Sequence, residues 1–317
     1  MQRAMTDASQ WPLVSIVLGT YNGSHYLREQ LDSLFAQTYP NIEIIAVDDK
    51  SSDNTVDILH EYAARHTNLK VFVNEQNLGF IKNFENGCRR STGDFIAVCD
   101  QDDYWHPDKI EKKMAAIGSF PMVYCDSRLC DSKLQYLGRN ISDVAHNQTF
   151  TDPRQLCVFS RMYGHTILVS RRLFELSSPF HPRIPHDGWM AYHATLYGGV
   201  KYLPEGLVDY RQHEHNVFGA VGGKRRKLAE TRKEKRIREH ANARSRMQSY
   251  FDACPDSLTE QKEFLRKLLK SYQSFSLPNN FLRVFLFLGN YKRLLVVKKY
   301  GTFRKIFFCF KMFAKIP

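Results

Sequence analysis

The chain has 317 residues, 43% hydrophobic and 25% charged, with a net charge of +12. That is the balance of a soluble globular protein with room for one large domain or two modest ones. The charge is uneven: residues 224–246 carry 11 Lys/Arg against 3 Glu, and residues 281–317 carry 9 Lys/Arg and no acid. The basic character therefore speaks to partners of the C-terminal third and not to the fold. Seven scattered cysteines without a CxxC pair exclude a zinc ribbon and point to a reducing compartment. The opening MQRAMTDASQW lacks the apolar core of a signal peptide, and no apolar run reaches the ~18 residues of a membrane-spanning helix.

In chain order, Leu13–Gly19 is apolar on both faces, as a central parallel strand would be. A Thr20-Tyr21-Asn22-Gly23 turn follows, then a helix with Leu27, Leu31, Leu34 and Phe35 on one face. Ile42–Val47 is the next strand, closed by Asp48-Asp49. Ser51, Ser52 and Asp53 are cap candidates for a helix through Arg65. Lys70–Asn74 is a third strand, and Asn77-Leu78-Gly79 leads into a helix ending near Gly93. Strand and helix thus alternate three times within about 90 residues, a rhythm that predicts a parallel sheet with right-handed crossovers. The fourth strand, Phe95–Cys99, stops at Asp100-Gln101-Asp102-Asp103. Three carboxylates in four residues repel one another, and a divalent cation such as Mg²⁺ or Mn²⁺ is the simplest way to hold them together; a solvated acidic turn is the plainer alternative.

Ligands of such sheets bind beyond the carboxyl ends of the strands. Thr20-Tyr21-Asn22, Asp48-Asp49 and Asp100–Asp103 all fall there. No GxGxxG follows the first strand and no GxxxxGK[ST] occurs, so the dinucleotide fingerprint and the P-loop are absent. Beyond the acidic turn, Pro107–Gly118 reads as a helix, Phe120–Ser127 as a strand, and Asp126–Phe159 as an irregular insertion. Gly164–Ser170 reads as a strand and Arg171–Leu176 as a helical turn. His186-Asp187-Gly188-Trp189 opens a helix to about Tyr197, where Asp187 could serve simply as an N-cap. Two short strands, Val200–Leu203 and Gly206–Tyr210, precede Gln212, His213, His215 and Asn216.

The ordered set TYNGSHYLREQLDSLFAQTYPNIEIIAVDDKSSDNT, NLGFIKNFENG, GDFIAVCDQDDYWHPDKI, HDGW and RQHEHN resembles the family 2 inverting glycosyltransferases of GT-A fold, similar to bacterial rhamnosyltransferases of O-antigen and capsule assembly. The resemblance covers about Pro12–Gly219. It implies an α/β, Rossmann-like, mostly parallel sheet with flanking helices over residues 12–220. Residues 1–11 would be a tail and residues 221–317 a basic, mainly helical extension.

The same resemblance implies a nucleotide-sugar donor (dTDP-, UDP- or GDP-linked, rhamnose being one candidate sugar) bound by Thr20, Tyr21, Asn22, Asp48, Asp49 and Lys82. Asp100 and Asp102 correspond to the D-x-D pair, Asp102 binding the metal with His213, and Asp187 to the catalytic base. Asp103, His186, Trp189, Gln212, His215 and Asn216 are acceptor or support candidates; His215 rivals His213, since spacing does not separate them, and Trp189 is equally an acceptor platform or packing.

The acid-free stretch from Phe281 suits an amphipathic segment on an anionic membrane, fitting a lipid-linked glycan acceptor and a peripheral place on the cytoplasmic face. Packing against the catalytic domain or an oligomer interface competes with that reading, and nucleic-acid binding fits poorly. A sugar-1-phosphate nucleotidyltransferase, or a non-catalytic membrane-bound adaptor, is the alternative function.

Overall fold

The computed structural model describes residues 11–213 and 231–317, except the side chains of residues 232, 233 and 236. Its first half is the expected alternation. It runs β1 (Val14–Thr20), α1 (Leu27–Phe35), β2 (Ile42–Asp48), α2 (Thr55–Ala63), β3 (Leu69–Val73), α3 (Phe80–Arg90) and β4 (Phe95–Cys99). β1 lies between β2 and β4, and β2 pairs β3, all in parallel register. The central strands are buried on both faces, which is why they read as unbroken apolar runs.

The second half departs from a purely parallel sheet. After β5 (Tyr104–Trp105) and α4 (Lys109–Ile117) come β6 (Met122–Cys130), β7 (Tyr136–Asn140), α5 (Ile141–Val144) and β8 (Ile167–Ser170). β8 inserts antiparallel between β4 and β6. The stretch expected to be irregular from Asp126 therefore begins with the end of β6 and holds a short β6–β7 hairpin before it becomes loop. α6 (Arg171–Ser177) and α7 (His186–Leu196) lead to β9 (Val200–Arg211). Two short strands were expected there; one strand forms, with its register against β6 shifting around Cys125–Arg128. Pro204 and Gly206 sit at that irregularity, where a missing N–H and a missing side chain are tolerated.

Alternate residues of β1 feed two cores. Val14, Ile16 and Leu18 pack with Leu27, Leu31, Ile58 and Leu59 on the face covered by α1 and α2. Val17 packs on the other face with α3, whose Gly87 lets the helix approach: a Cβ there would lie 2.3 Å from Val17 Cγ1. That second core continues without a break into α8 (Arg232–Ala253), α9 (Thr259–Ser271), α10 (Leu277–Leu294) and α11 (Thr302–Lys311).

Met247, Leu265, Leu268, Phe287, Leu294 and Leu295 are fully buried there, each side chain stabilising by roughly 1.5–3 kcal/mol. Arg283 is buried too. It donates to the carbonyls of Met312 (2.6 Å) and Ser271 and to Asn280 Oδ1 (2.7 Å), tying α9, α10 and the end of α11 together. The tail's charge is thus partly structural, and much of its apolar content is core. All seven cysteines are free and buried. Among the described residues no helix is long and apolar enough to cross a membrane.

Candidate active site

The ends of β1, β2 and β4 are wired to one another by side chains. Thr20 Oγ1 donates to Asp48 Oδ2 (2.8 Å), and Ser51 adds its N–H to Oδ1 (2.7 Å) and its hydroxyl to Oδ2 (2.5 Å). Asp48 is fully buried with both oxygens engaged. Asp49 holds the following loop: it accepts from the N–H groups of Leu78 and Gly79 (both 2.8 Å) and from Asn74 Nδ2 (3.0 Å). Asn22 takes a left-handed backbone (φ 47°) and receives Ser52 N–H on Oδ1 (2.8 Å). The Gln101 amide spans Tyr21, accepting its N–H (2.8 Å) and donating to its carbonyl (3.0 Å). A Cβ on Gly23 would lie 2.1 Å from Gln101 Oε1, so a side chain there would push the Gln101 amide off Tyr21.

The acidic turn sits over a buried histidine. His165 Nδ1 lies 3.6 Å from Asp100 Oδ2 and 3.5 Å from Asp103 Oδ2, and its Nε2 lies 2.9 Å from Ser127 Oγ. Lys109 Nζ donates to the His165 carbonyl (2.7 Å) from behind. Asp100, Asp103 and His165 present ligand atoms all within 4.8 Å of one another. Burial pushes the Asp100 carboxyl up, but His165 together with the charges of His186 and Lys109 holds it below the usual range. Asp103 goes the other way: burial, then the charges of Asp102 and Asp100, push it well up.

Across the turn, His213 Nε2 is 2.9 Å from Asp102 Oδ2. The end of β9 fixes this pairing through Arg211. Its N–H reaches Asp103 Oδ1 (3.1 Å), its Nε the Asp102 carbonyl (2.8 Å), its Nη1 the Ser132 carbonyl (2.7 Å), and its Nη2 Glu29.

Asp187 opens α7 and takes the Gly188 N–H on Oδ1 (2.6 Å). Burial pushes its carboxyl up to about 7 against the lowering effect of that N–H. Beside it, His186 is caged by Phe84 (ring centroids 4.4 Å), Phe80 and Phe180, with neither ring nitrogen hydrogen-bonded. Desolvation lowers its pKa to about 4, so it is a neutral ring. Trp189 is buried; its Nε1 donates to the Ser177 carbonyl (2.7 Å) and its ring stacks on Tyr250 of α8.

One cavity of about 1820 Å³ joins these groups. Thr20, Tyr21, Asn22, Asp49, Asp100, Asp102, His186, Asp187, Gln212 and His213 line it. Among the described residues Asp48, Lys82, Asp103 and Trp189 do not; Lys82 pairs with Glu85 (2.9 Å) on α3. His215 and Asn216 lie outside the described residues. Sequence reasoning missed His165, Arg211, Gln101 and Arg246. Only Gln101, inside the acidic turn, and Arg211, beside the RQHEHN run, carried a local signal.

Residues 15–176 match the model of "Glycosyl transferase family 2". The Bacillus subtilis protein named as a glycosyltransferase, EpsH, is 31% identical over 225 residues, covering 65% of this chain and 62% of EpsH. The chain spans less than two thirds of the length of the leading curated relatives. Among solved structures, S. aureus TarS in complex with UDP-GlcNAc superposes with a TM-score of 0.61 at 17% identity, over 95% of this chain and 90% of that one. A Pyrobaculum calidifontis mannosyltransferase in complex with GDP-Man and Mn²⁺ superposes at 0.54 and 18% identity, over 97% and 87%. Both likenesses show the fold, a GT-A sheet with flanking helices.

Proposed function

The chain belongs to glycosyl transferase family 2, and from that premise we propose that it transfers one sugar, with inversion, from a nucleoside-diphosphate donor to a hydroxyl of a lipid-linked or polysaccharide acceptor. The observation that carries this is the single cavity joining the strand-end groups, the Asp102–His213 pair and Asp187. Thr20, Tyr21, Asn22 and Asp49 would line the nucleoside end. Asp48, saturated by Thr20 and Ser51, would shape that end without touching the donor.

The acidic turn suits a divalent cation, because Asp102 meets the His213 imidazole at 2.9 Å and, beside them, Asp100, Asp103 and His165 crowd ligand atoms together, with the buried Asp103 Oδ2 lacking a hydrogen-bond partner among the described residues. Asp102 and His213 would hold Mg²⁺ or Mn²⁺ with Asp100 beside them, and an ion held there would offset the negative charge of the diphosphate. Asp187 takes the proton of the acceptor hydroxyl. That oxygen bonds to the anomeric carbon as the bond to the nucleoside diphosphate breaks, and one base on the opposite face suffices for inversion. A carboxyl held near 7 is matched to this task, being ionised for part of the population at neutral pH yet basic enough to accept a proton.

For the acceptor, exposed Phe303, Phe307 and Phe310 on α11, beside Arg304 and Lys311, support docking on an anionic cytoplasmic membrane face. dTDP-, UDP- and GDP-sugars all fit the reading, rhamnose among them. Thermal-shift titration of these nucleoside diphosphates with Mn²⁺ tests it. Wild type should be stabilised by at least one and Asp102→Ala by none; absence of any shift in wild type would remove the donor site.

A further inference from the structure

The two walls of the cavity carry opposite charge. Strand ends supply Asp49, Asp100 and Asp102 to one wall, and the loop into α2 supplies Asp53. The facing wall is built by residues 156–164, the approach to α7 and the inner face of α8, and it carries Arg161, Arg183 and Arg246. Among the described residues its single side-chain carboxylate is Asp187. Three guanidiniums against one acidic side chain and the main-chain end at Pro317 are more than proton transfer needs.

Arg246 is the best placed of the three. It stands one helical turn before Tyr250, which lines the same cavity as Asp187. Its Nη2 donates to a main-chain oxygen of Pro317, the last residue of the sequence (3.0 Å), so a carboxyl oxygen already suits the position, while its buried Nε has no hydrogen-bond partner among the described residues. Arg161 uses one nitrogen on the Val144 carbonyl (2.9 Å) and is otherwise exposed at the rim. Positive charge is in excess at that rim: burial, then the Arg161 charge, lower the pKa of nearby Lys298, whose ammonium lies 4.4 Å from the Phe159 ring centroid. Phe159 also lines the cavity and meets Phe308 of α11 (5.9 Å between centroids). The basic rim therefore adjoins the helix whose outer face exposes Phe303, Phe307 and Phe310.

The geometry points to an oxyanion site on the acceptor side: Arg246, with Arg161 and Arg183, binds a phosphate group carried by the acceptor, close to the hydroxyl that Asp187 deprotonates. This rests on the transferase reading and names the acceptor class for it. Guanidinium forks pair with phosphate oxygens through charge-assisted bonds. A phosphate held there would fix which acceptor hydroxyl meets the base. The phosphate could belong to a polyprenyl carrier or to a phosphodiester polymer, and the chemistry of recognition is the same.

The full chain is first saturated with its nucleoside diphosphate and Mn²⁺, so that no phosphate probe can settle on the acidic wall. Binding is then measured for polyprenyl diphosphate in detergent micelles, polyprenol in the same micelles, and a soluble glycerol phosphodiester oligomer. At least one phosphate probe should bind about tenfold or more tightly than its neutral control. Arg246→Gln should lose that preference while nucleotide binding and melting temperature stay as in wild type, and Arg161→Gln/Arg183→Gln should weaken it in part. Preference for the micellar probe assigns a lipid carrier, and preference for the oligomer a polymer acceptor; both support the site. Equal binding of phosphate and neutral probes, or an undiminished preference in Arg246→Gln, overturns it. Failure of wild type to bind any nucleotide would instead strike the transferase reading, so the two failures are distinguishable.

Discussion

The acidic and basic walls of the cavity are built on different principles. The carboxylates of the acidic wall each meet another element: Asp49 the loop before α3, Asp53 the Ser24 N–H, Asp100 His165 and Asp102 His213, while behind them Asp48 is held by β1 and Asp103 by Arg211 at the end of β9. The arginines of the basic wall come from a loop, the approach to a helix and a distant helix, and among the described residues Arg161 and Arg246 donate to main-chain oxygens alone. A wall that must hold like charges together has to be rigid. A wall that meets a flexible, anionic acceptor can be set by reach and field alone.

If this contrast is right, variants should sort by wall. The largest effect belongs to the proton acceptor. Asp187→Asn should cut transfer about 10²–10⁴-fold with nucleotide-induced thermal shifts retained; transfer within a few fold of wild type would remove Asp187 from the chemistry. Next comes the acidic wall. Asp102→Asn or His213→Ala should weaken Mn²⁺-dependent nucleotide binding by about 10–100-fold, read by calorimetry, and leave phosphate-probe binding on the other wall intact.

The pH profile should show a limb rising through about 7, because the base must be ionised; a profile flat from pH 5 to 8 would contradict it. The same shift has a stability consequence. A carboxyl whose folded pKa is raised favours the fold while protonated, and that contribution is lost as pH rises towards about 7. Asp187→Asn should thus melt higher than wild type above pH 7, and the gap should shrink at pH 5. Smallest is Gln101→Glu, which loses the donor to the Tyr21 carbonyl and adds a fourth carboxylate to the turn; about tenfold weaker nucleotide binding is expected.

Legibility followed the same division. The acidic wall sits at the carboxyl ends of strands whose apolar runs are unmistakable, so Thr20, Asp49, Asp100 and Asp102 could be placed from spacing alone. His165 could not: it lies just before a short antiparallel strand inserted from far along the chain, and nothing local says that β8 slides in beside β4. Arg246 was invisible for a related reason. In a stretch with 11 Lys/Arg, only the packing of Met247 and Tyr250 singles out the residue beside them. The C-terminal phenylalanines divided likewise. Phe287 turned into core, while Phe303 stayed outside at 86% exposed, a distinction that tertiary contact alone draws.

The Gln101 carboxamide meets both the N–H and the C=O of Tyr21, as a neighbouring strand's peptide group would. It acts as a rung of borrowed backbone, prolonging the β1–β4 ladder one step past the point where the two main chains part. Asparagine would be a methylene too short for that rung, and a carboxylate would lack its donor. The floor of this end of the cavity is thereby an outgrowth of the sheet, and should exchange its Tyr21 amide hydrogen at the slow pace of a strand instead of the fast pace of a turn.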